Sequence, residues 1–118
     1  MAESKQQPVG RRARLLNLIE RSAGKRVLVV GDMVADEYII GSPFRISREA
    51  PVLVLRHRAQ SIVPGGATNP AVNARTLGAE VFLAGVIGDD APGEGLRARL
   101  HEYAVEMAGL FSEPGRPT

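Results

Sequence analysis

Apolar residues change spacing several times along the chain, and each change marks an element. Leu15, Leu18 and Ile19 recur at i, i+3 and i+4 with Leu16 beside them, while Arg12, Arg14, Glu20 and Arg21 fill the other side. That spacing predicts an amphipathic helix, stopped at Gly24. Val27-Leu28-Val29-Val30 is an unbroken aliphatic run closed by Gly31-Asp32. It has the form of a strand buried on both faces of a parallel sheet, and it is the expected central strand. Tyr38-Ile39-Ile40 and Val52-Leu53-Val54-Leu55 are shorter apolar stretches set off by Gly41, Pro43 and Pro51. No helix-length segment lies between them, so they are expected to pair antiparallel, as a small sheet apart from the parallel core.

Ala67, Ala71 and Ala74 fall at helical spacing with Gly78 as the stop, and an alanine face lets a helix lie close to a sheet. Val81 to Ile87 is a second buried strand. Asp90 and Pro92 then open a helix whose stripe is Leu96, Leu100, Tyr103 and Met107. The resulting order β, β-β, α, β, α argues an α/β layer architecture with parallel strands joined by a crossover. Residues 1–10 carry no apolar period and read as a disordered lead-in, which leaves 11–118 as the folded part.

Composition narrows the functional classes. With 118 residues, 44% of them hydrophobic, the chain can build one core and not two. The absence of cysteine removes disulfides, thiolate metal sites and a cysteine nucleophile, and fits a cytoplasmic protein. The 15 Lys and Arg stand against 13 Asp and Glu, with Arg11, Arg12 and Arg14 clustered and no aromatic residue among them. Bases have no stacking platform there, which argues against a nucleic-acid partner. No apolar run approaches the ~18 residues of a membrane span, so no membrane partner is expected.

The chemistry-bearing residues lie at element ends. The chain has no G-x-x-x-x-G-K-[ST], no G-x-G-x-x-G after a strand and no H-E-x-x-H, and His57 and His101 fall in different elements without paired carboxylates. No catalytic base and no metal ligand set is therefore assigned. Gly65-Gly66-Ala67-Thr68-Asn69 precedes a helix, and paired glycines with an amide side chain suit hydroxyls of a polyol; the other reading is a turn with Asn69 capping the helix ahead of Pro70. Asp36, with Asp32, follows the end of a buried strand, where open α/β sheets place ligands. It reads as a sugar hook or as a plain loop carboxylate. Asp89-Asp90 looks catalytic at first, but Asp90 is better explained as a helix cap. Arg45, with Arg48, sits in the segment joining the two short strands, able to hold a phosphate or simply solvated.

Taken together, Val27 to Asp32 with Asp36, Arg45-Ile46-Ser47, Glu49-Ala50-Pro51-Val52, and Pro64-Gly65-Gly66-Ala67 with Asn69 and Asn73 resemble the ribokinase-type carbohydrate kinases. Within them the Arg-Ile-Ser-x-Glu-Ala-Pro-Val segment is similar to the heptose 7-phosphate kinases. The resemblance implies a ribokinase-like α/β fold: a parallel sheet flanked by helices, with a small antiparallel β lid over about residues 34–62, here in truncated form. It implies a sugar phosphate substrate held by Asp36, Gly65, Gly66 and Asn69, with Arg45 near the phosphate, and a homodimer formed through the lid. It further implies ATP and Mg2+ as cofactors of the complete enzyme, bound by a later part of such kinases. The chain reads as their N-terminal sugar-binding and lid portion, inactive by itself. The Gly-Gly-x-x-Asn start is shared across these kinases, so a kinase for another sugar or nucleoside stays open, as does a non-catalytic dimerising module. Arg48 stands where the heptose kinases usually have Pro. Thr68 and Pro70 replace small apolar residues around Asn69, and Pro70 biases Asn69 toward an extended backbone.

Overall fold

The computed structural model describes residues 10–118; the lead-in expected over residues 1–10 lies, apart from Gly10, outside the described residues. The order is α1 (Arg11–Glu20), β1 (Arg26–Val30), β2 (Met33–Ile46), β3 (Leu53–Gly66), α2 (Thr68–Thr76), β4 (Glu80–Gly88), α3 (Ala91–Glu102) and β5 (Glu106–Glu113). β1, β4 and β5 form a parallel sheet in that spatial order, and β2 and β3 form a separate antiparallel ribbon.

Four expectations from the sequence need correction. β4, not β1, is the central strand. Among the described residues the sheet is covered on one face only: Val27, Val29, Val81, Leu83, Ile87 and Leu110 pack with Leu96 and Leu100 of α3 and Ala71 of α2. The opposite face carries Leu28, Val30 and Phe111 at 65%, 69% and 66% exposure, aligned in register with Phe82, Ala84 and Val86. A continuous apolar run therefore marks this strand without marking what covers it. Arg26 places its guanidinium 5.2 Å from the Phe82 ring centroid, a cation–π contact on that uncovered face.

The third correction is α3, which ends at Glu102; Met107 belongs to β5, a strand that the helical stripe concealed. Ala104 adopts φ +53°, a left-handed conformation that turns the chain out of the helix, and Val105 N–H donates to Leu100 carbonyl at 3.2 Å. Leu96 and Leu100 are fully buried as the stripe requires. The fourth is the length of the lid strands. Each runs 14 residues rather than the short apolar stretches alone. Register shifts at Ile40/Gly41 and Pro43/Arg45 absorb the Gly and Pro that read as strand ends, because bulges and edge positions tolerate both.

Other boundaries agree with the sequence. Gly24 (φ +69°) and Gly78 (φ +89°) close the turns after α1 and α2. Asp90 caps α3 with Pro92 in its first turn. The apolar stripe of α1 buries no residue, and Leu15, Leu16, Leu18 and Ile19 each stay about half exposed.

Candidate functional site

The lid grows directly out of β1. After Val30 the chain passes Gly31 and Asp32 and enters β2 at Met33, so Asp36 is a strand residue rather than a loop carboxylate. β3 returns antiparallel, pairing Asp36 with Val63, Ala35 with Pro64, Val34 with Gly65 and Met33 with Gly66. Asp36 thereby arches over Gly65: a Cβ there would meet both carboxylate oxygens and stand 2.9 Å from Cγ. Gly66 has φ +53°, and a Cβ on it would stand 2.5 Å from the Asp32 carbonyl oxygen. Each glycine is thus required, one by a carboxylate laid across it and the other by its backbone conformation.

Two hydrogen bonds hold this turn. Ala67 N–H donates to the Asp32 carbonyl at 2.8 Å, and the Thr68 hydroxyl donates to the Gly65 carbonyl at 2.6 Å. Thr68 is fully buried with its hydroxyl satisfied, so it is a tie between β3 and α2. Its position was legible in the sequence, but its role as a buried tie was not. Asn69 lies inside α2, whose cap residue is Ala67, so the capping reading of Asn69 fails. Its backbone is helical despite the steric bias of Pro70 on the residue before it, and Pro70 itself sits in the first turn, where its missing N–H costs no intrahelical bond. The exposed Asn69 side chain accepts through Oδ1 from Asn73 Nδ2 at 3.1 Å. Its own amide N–H groups are left for another partner.

Asp36, Gly65, Gly66 and the start of α2 are therefore brought together at the root of the lid. Arg45 is not. It is paired with Val54 inside β2, with about 30 Å of strand between it and Asp36. Its guanidinium reaches back to the Ile46 carbonyl at 3.4 Å. His57 is exposed on β3 and His101 is exposed in the last turn of α3. Asp90 accepts from Gly93 N–H at 2.8 Å, and hydrogen bonds from Thr118 and Gly93 hold its carboxyl below its ordinary pKa. No local sequence pattern announced the Thr118 contact. Among the described residues no three His, Asp or Glu side chains converge as metal ligands. Among them also, no helix is long and apolar enough to cross a membrane.

Comparison with known proteins places this geometry. Residues 25–118 match the pfkB family of carbohydrate kinases. The chain is 45% identical over 106 residues to the bifunctional protein HldE of Hyphomonas neptunium, covering 90% of this chain and 22% of that protein. It is 47% identical over 93 residues to the bifunctional protein HldE of Azorhizobium caulinodans, covering 78% of this chain and 19% of the relative. The chain thus spans about a fifth of the length of these curated relatives. Among solved structures, the fructokinase of Halothermothrix orenii superposes with a TM-score of 0.55 at 25% identity, over 80% of this chain and 31% of that one. Arabidopsis thaliana ribokinase, complexed with ribose and ATP, superposes with a TM-score of 0.57 at 23% identity, over 81% of this chain and 30% of that one. A lid ribbon rooted beside a parallel sheet is a ribokinase-like arrangement, and the chain belongs to the pfkB carbohydrate kinase family.

Proposed function

We propose that the chain forms the sugar-binding and lid portion of an ATP-dependent heptose 7-phosphate kinase. Such an enzyme transfers a phosphoryl group to the anomeric hydroxyl, giving the 1,7-bisphosphate used in ADP-heptose and lipopolysaccharide core assembly. The observation that carries the reading is the Asp36 carboxylate held over Gly65 at the root of the lid. A carboxylate accepts from two adjacent hydroxyls at once, which is what a polyol offers. Gly66 is exposed and leaves its backbone open to a sugar, and Asn69, its Oδ1 engaged by Asn73, presents N–H donors to sugar oxygens. The resemblance of the Arg-Ile-Ser-x-Glu-Ala-Pro-Val segment favours a heptose phosphate over other sugars.

Arg45 meets a sugar phosphate only if the lid of a second copy brings it there, given its separation from Asp36 along β2. The exposed apolar residues Tyr38, Ile39, Ile40, Leu53 and Leu55 support such a lid-to-lid homodimer. ATP and Mg2+ belong to the complete enzyme, where positioning and charge stabilisation together drive phosphoryl transfer. This chain's residues bind and orient the acceptor sugar and exclude water from it.

An amide-correlation NMR titration of the chain with heptose 7-phosphate, with ribose as comparison, tests the reading. Shifts centred on Asp36, Gly65, Gly66 and Asn69 with the heptose phosphate and not with ribose are expected. Equal response to both sugars would favour a kinase of different specificity, and a spectrum indifferent to either would sink the sugar-site assignment.

A further inference from the structure

Because β1, β4 and β5 are parallel, the chain leaves all three at the same edge of the sheet, where open α/β sheets take their ligands. At β1 that edge leads into the lid root. At β4 it leads into Gly88, Asp89 and Asp90, and the segment 114–118 beyond β5 comes back to meet it.

The meeting point is one carboxylate. Asp90 Oδ1 accepts from Gly93 N–H at 2.8 Å, the ordinary bond of a helix cap. The same oxygen accepts from the Thr118 hydroxyl at 2.6 Å, and Oδ2 accepts from Thr118 N–H at 2.8 Å. Thr118 Oγ1 accepts in turn from Gly88 N–H at 2.8 Å. Three chain segments are closed into one knot. It has no spare room: a Cβ on Gly93 would stand 2.6 Å from the Gly88 carbonyl oxygen and 2.8 Å from Thr118 Oγ1, and one on Gly88 would stand 2.9 Å from Asp90 Oδ2. Capping α3 needs a single acceptor, which Ser, Thr or Asn supplies as well. The second oxygen and its bond to Thr118 exceed that need.

We propose that Asp90 is a positioning residue, a fastener that ties residues 114–118 to the end of β4 and to α3 at the edge of the sheet where the lid is rooted. α3 carries the restraint onward to the lid. Gly95 lies against Ile62, where a Cβ would stand 2.9 Å from Cγ1, and Ile62 is the cross-strand partner of Glu37, next to Asp36. The fastener thereby fixes the spacing between the lid root and the 114–118 segment.

The other charged or titratable side chains on the joined segments and the end of β5 are Asp89, Glu94, Arg97, Arg99, His101, Glu102, Glu113 and Arg116. Arg116 pairs with Glu113 at 3.6 Å, and Arg97 donates to the Leu110 carbonyl and to Ser112. Among the described residues no cation pairs with Asp90, and its ionised form rests on the Thr118 and Gly93 donors.

Amide hydrogen exchange followed by NMR on the 118-residue chain tests the fastener. Asp90→Asn keeps an acceptor for Gly93 but turns an NH2 toward Thr118 N–H. Exchange at Thr118 and Gly88 is expected to accelerate by about tenfold or more while Gly93 stays protected, since such openings are local. Thr118→Ser, which retains both donors, is expected to behave as the parent. In the parent chain, protection at Thr118 is expected to fall in acid together with the Asp90 carboxyl signal, a step absent from the Asn variant. Should the Asn variant not fold, Thr118→Val leaves the cap intact and is expected to release Gly88 N–H alone. In Asp90→Asn, unchanged exchange at Thr118 or Gly88, or Gly93 opening together with Thr118, would overturn the proposal, as would unchanged exchange at Gly88 in Thr118→Val.

Discussion

A single methyl group at Gly65 would occupy the space of the Asp36 carboxylate. Gly65→Ala is therefore expected to swing Asp36 off its position, at a cost of about 1 to 3 kcal/mol for the overpacking. Urea unfolding checks the stability, and loss of the sugar-induced shift at Asp36 checks the site. Asn73→Ala makes a complementary case on α2. It frees Asn69 Oδ1 and lets the amide turn over, so a weakened sugar response with unchanged stability is expected, because the Asn69–Asn73 bond is exposed. Asp90 supplies the pH dependence. Its folded carboxyl lies below the ordinary value, so its stabilisation is present above the unfolded pKa of about 3.9 and is lost as pH falls through the lower folded value. Unfolding midpoints measured from pH 7 to pH 3 should fall at the acid end in the parent chain, and fall less in Asp90→Asn.

At the scale of elements, α3 shows what a sequence reveals and what it hides. Leu96 and Leu100 were legible as a buried stripe because two turns of helix repeat against one core face. Tyr103 and Met107 continue that period arithmetically, yet the chain leaves the helix at Ala104, and no local residue announces a left-handed turn at an alanine. Replacing Ala104 by Gly removes the steric cost of that backbone. A gain of about 1 kcal/mol is expected, measured as a raised melting temperature. Leu100→Ala, by contrast, opens the core at a fully buried position and is expected to cost about 2 to 5 kcal/mol. The lid strands were underestimated for a different reason. In a two-stranded ribbon both edges are open, so Pro43 and Gly41 interrupt the register without ending the pairing. The site was more readable than the strands around it, since Gly65, Gly66 and Asp36 announce themselves by residue type. The Asp90–Thr118 bond, which joins residues far apart in sequence, was not readable from any local pattern.

At the scale of the whole molecule, one face of the parallel sheet is packed and the other is open. Among the described residues nothing covers Leu28, Val30 and Phe111, which present an apolar surface there. A Leu28→Lys, Val30→Lys double substitution is expected to keep the melting temperature within a degree or two while sharply reducing binding of a hydrophobic dye, because neither side chain contributes to the buried cluster. The lid ribbon is the second large feature. Its two strands stand clear of the core beyond the contact of Ile62 with α3, and their register slips at Ile40/Gly41. Everything past that slip behaves as a lever: with about 20 Å of ribbon beyond the bulge, a turn of only 10° at Gly41 would sweep Arg45 and Ile46 through about 3 Å. The outer half of the lid can thus shift by a local twist while Asp36, five residues nearer the core along β2, stays in place.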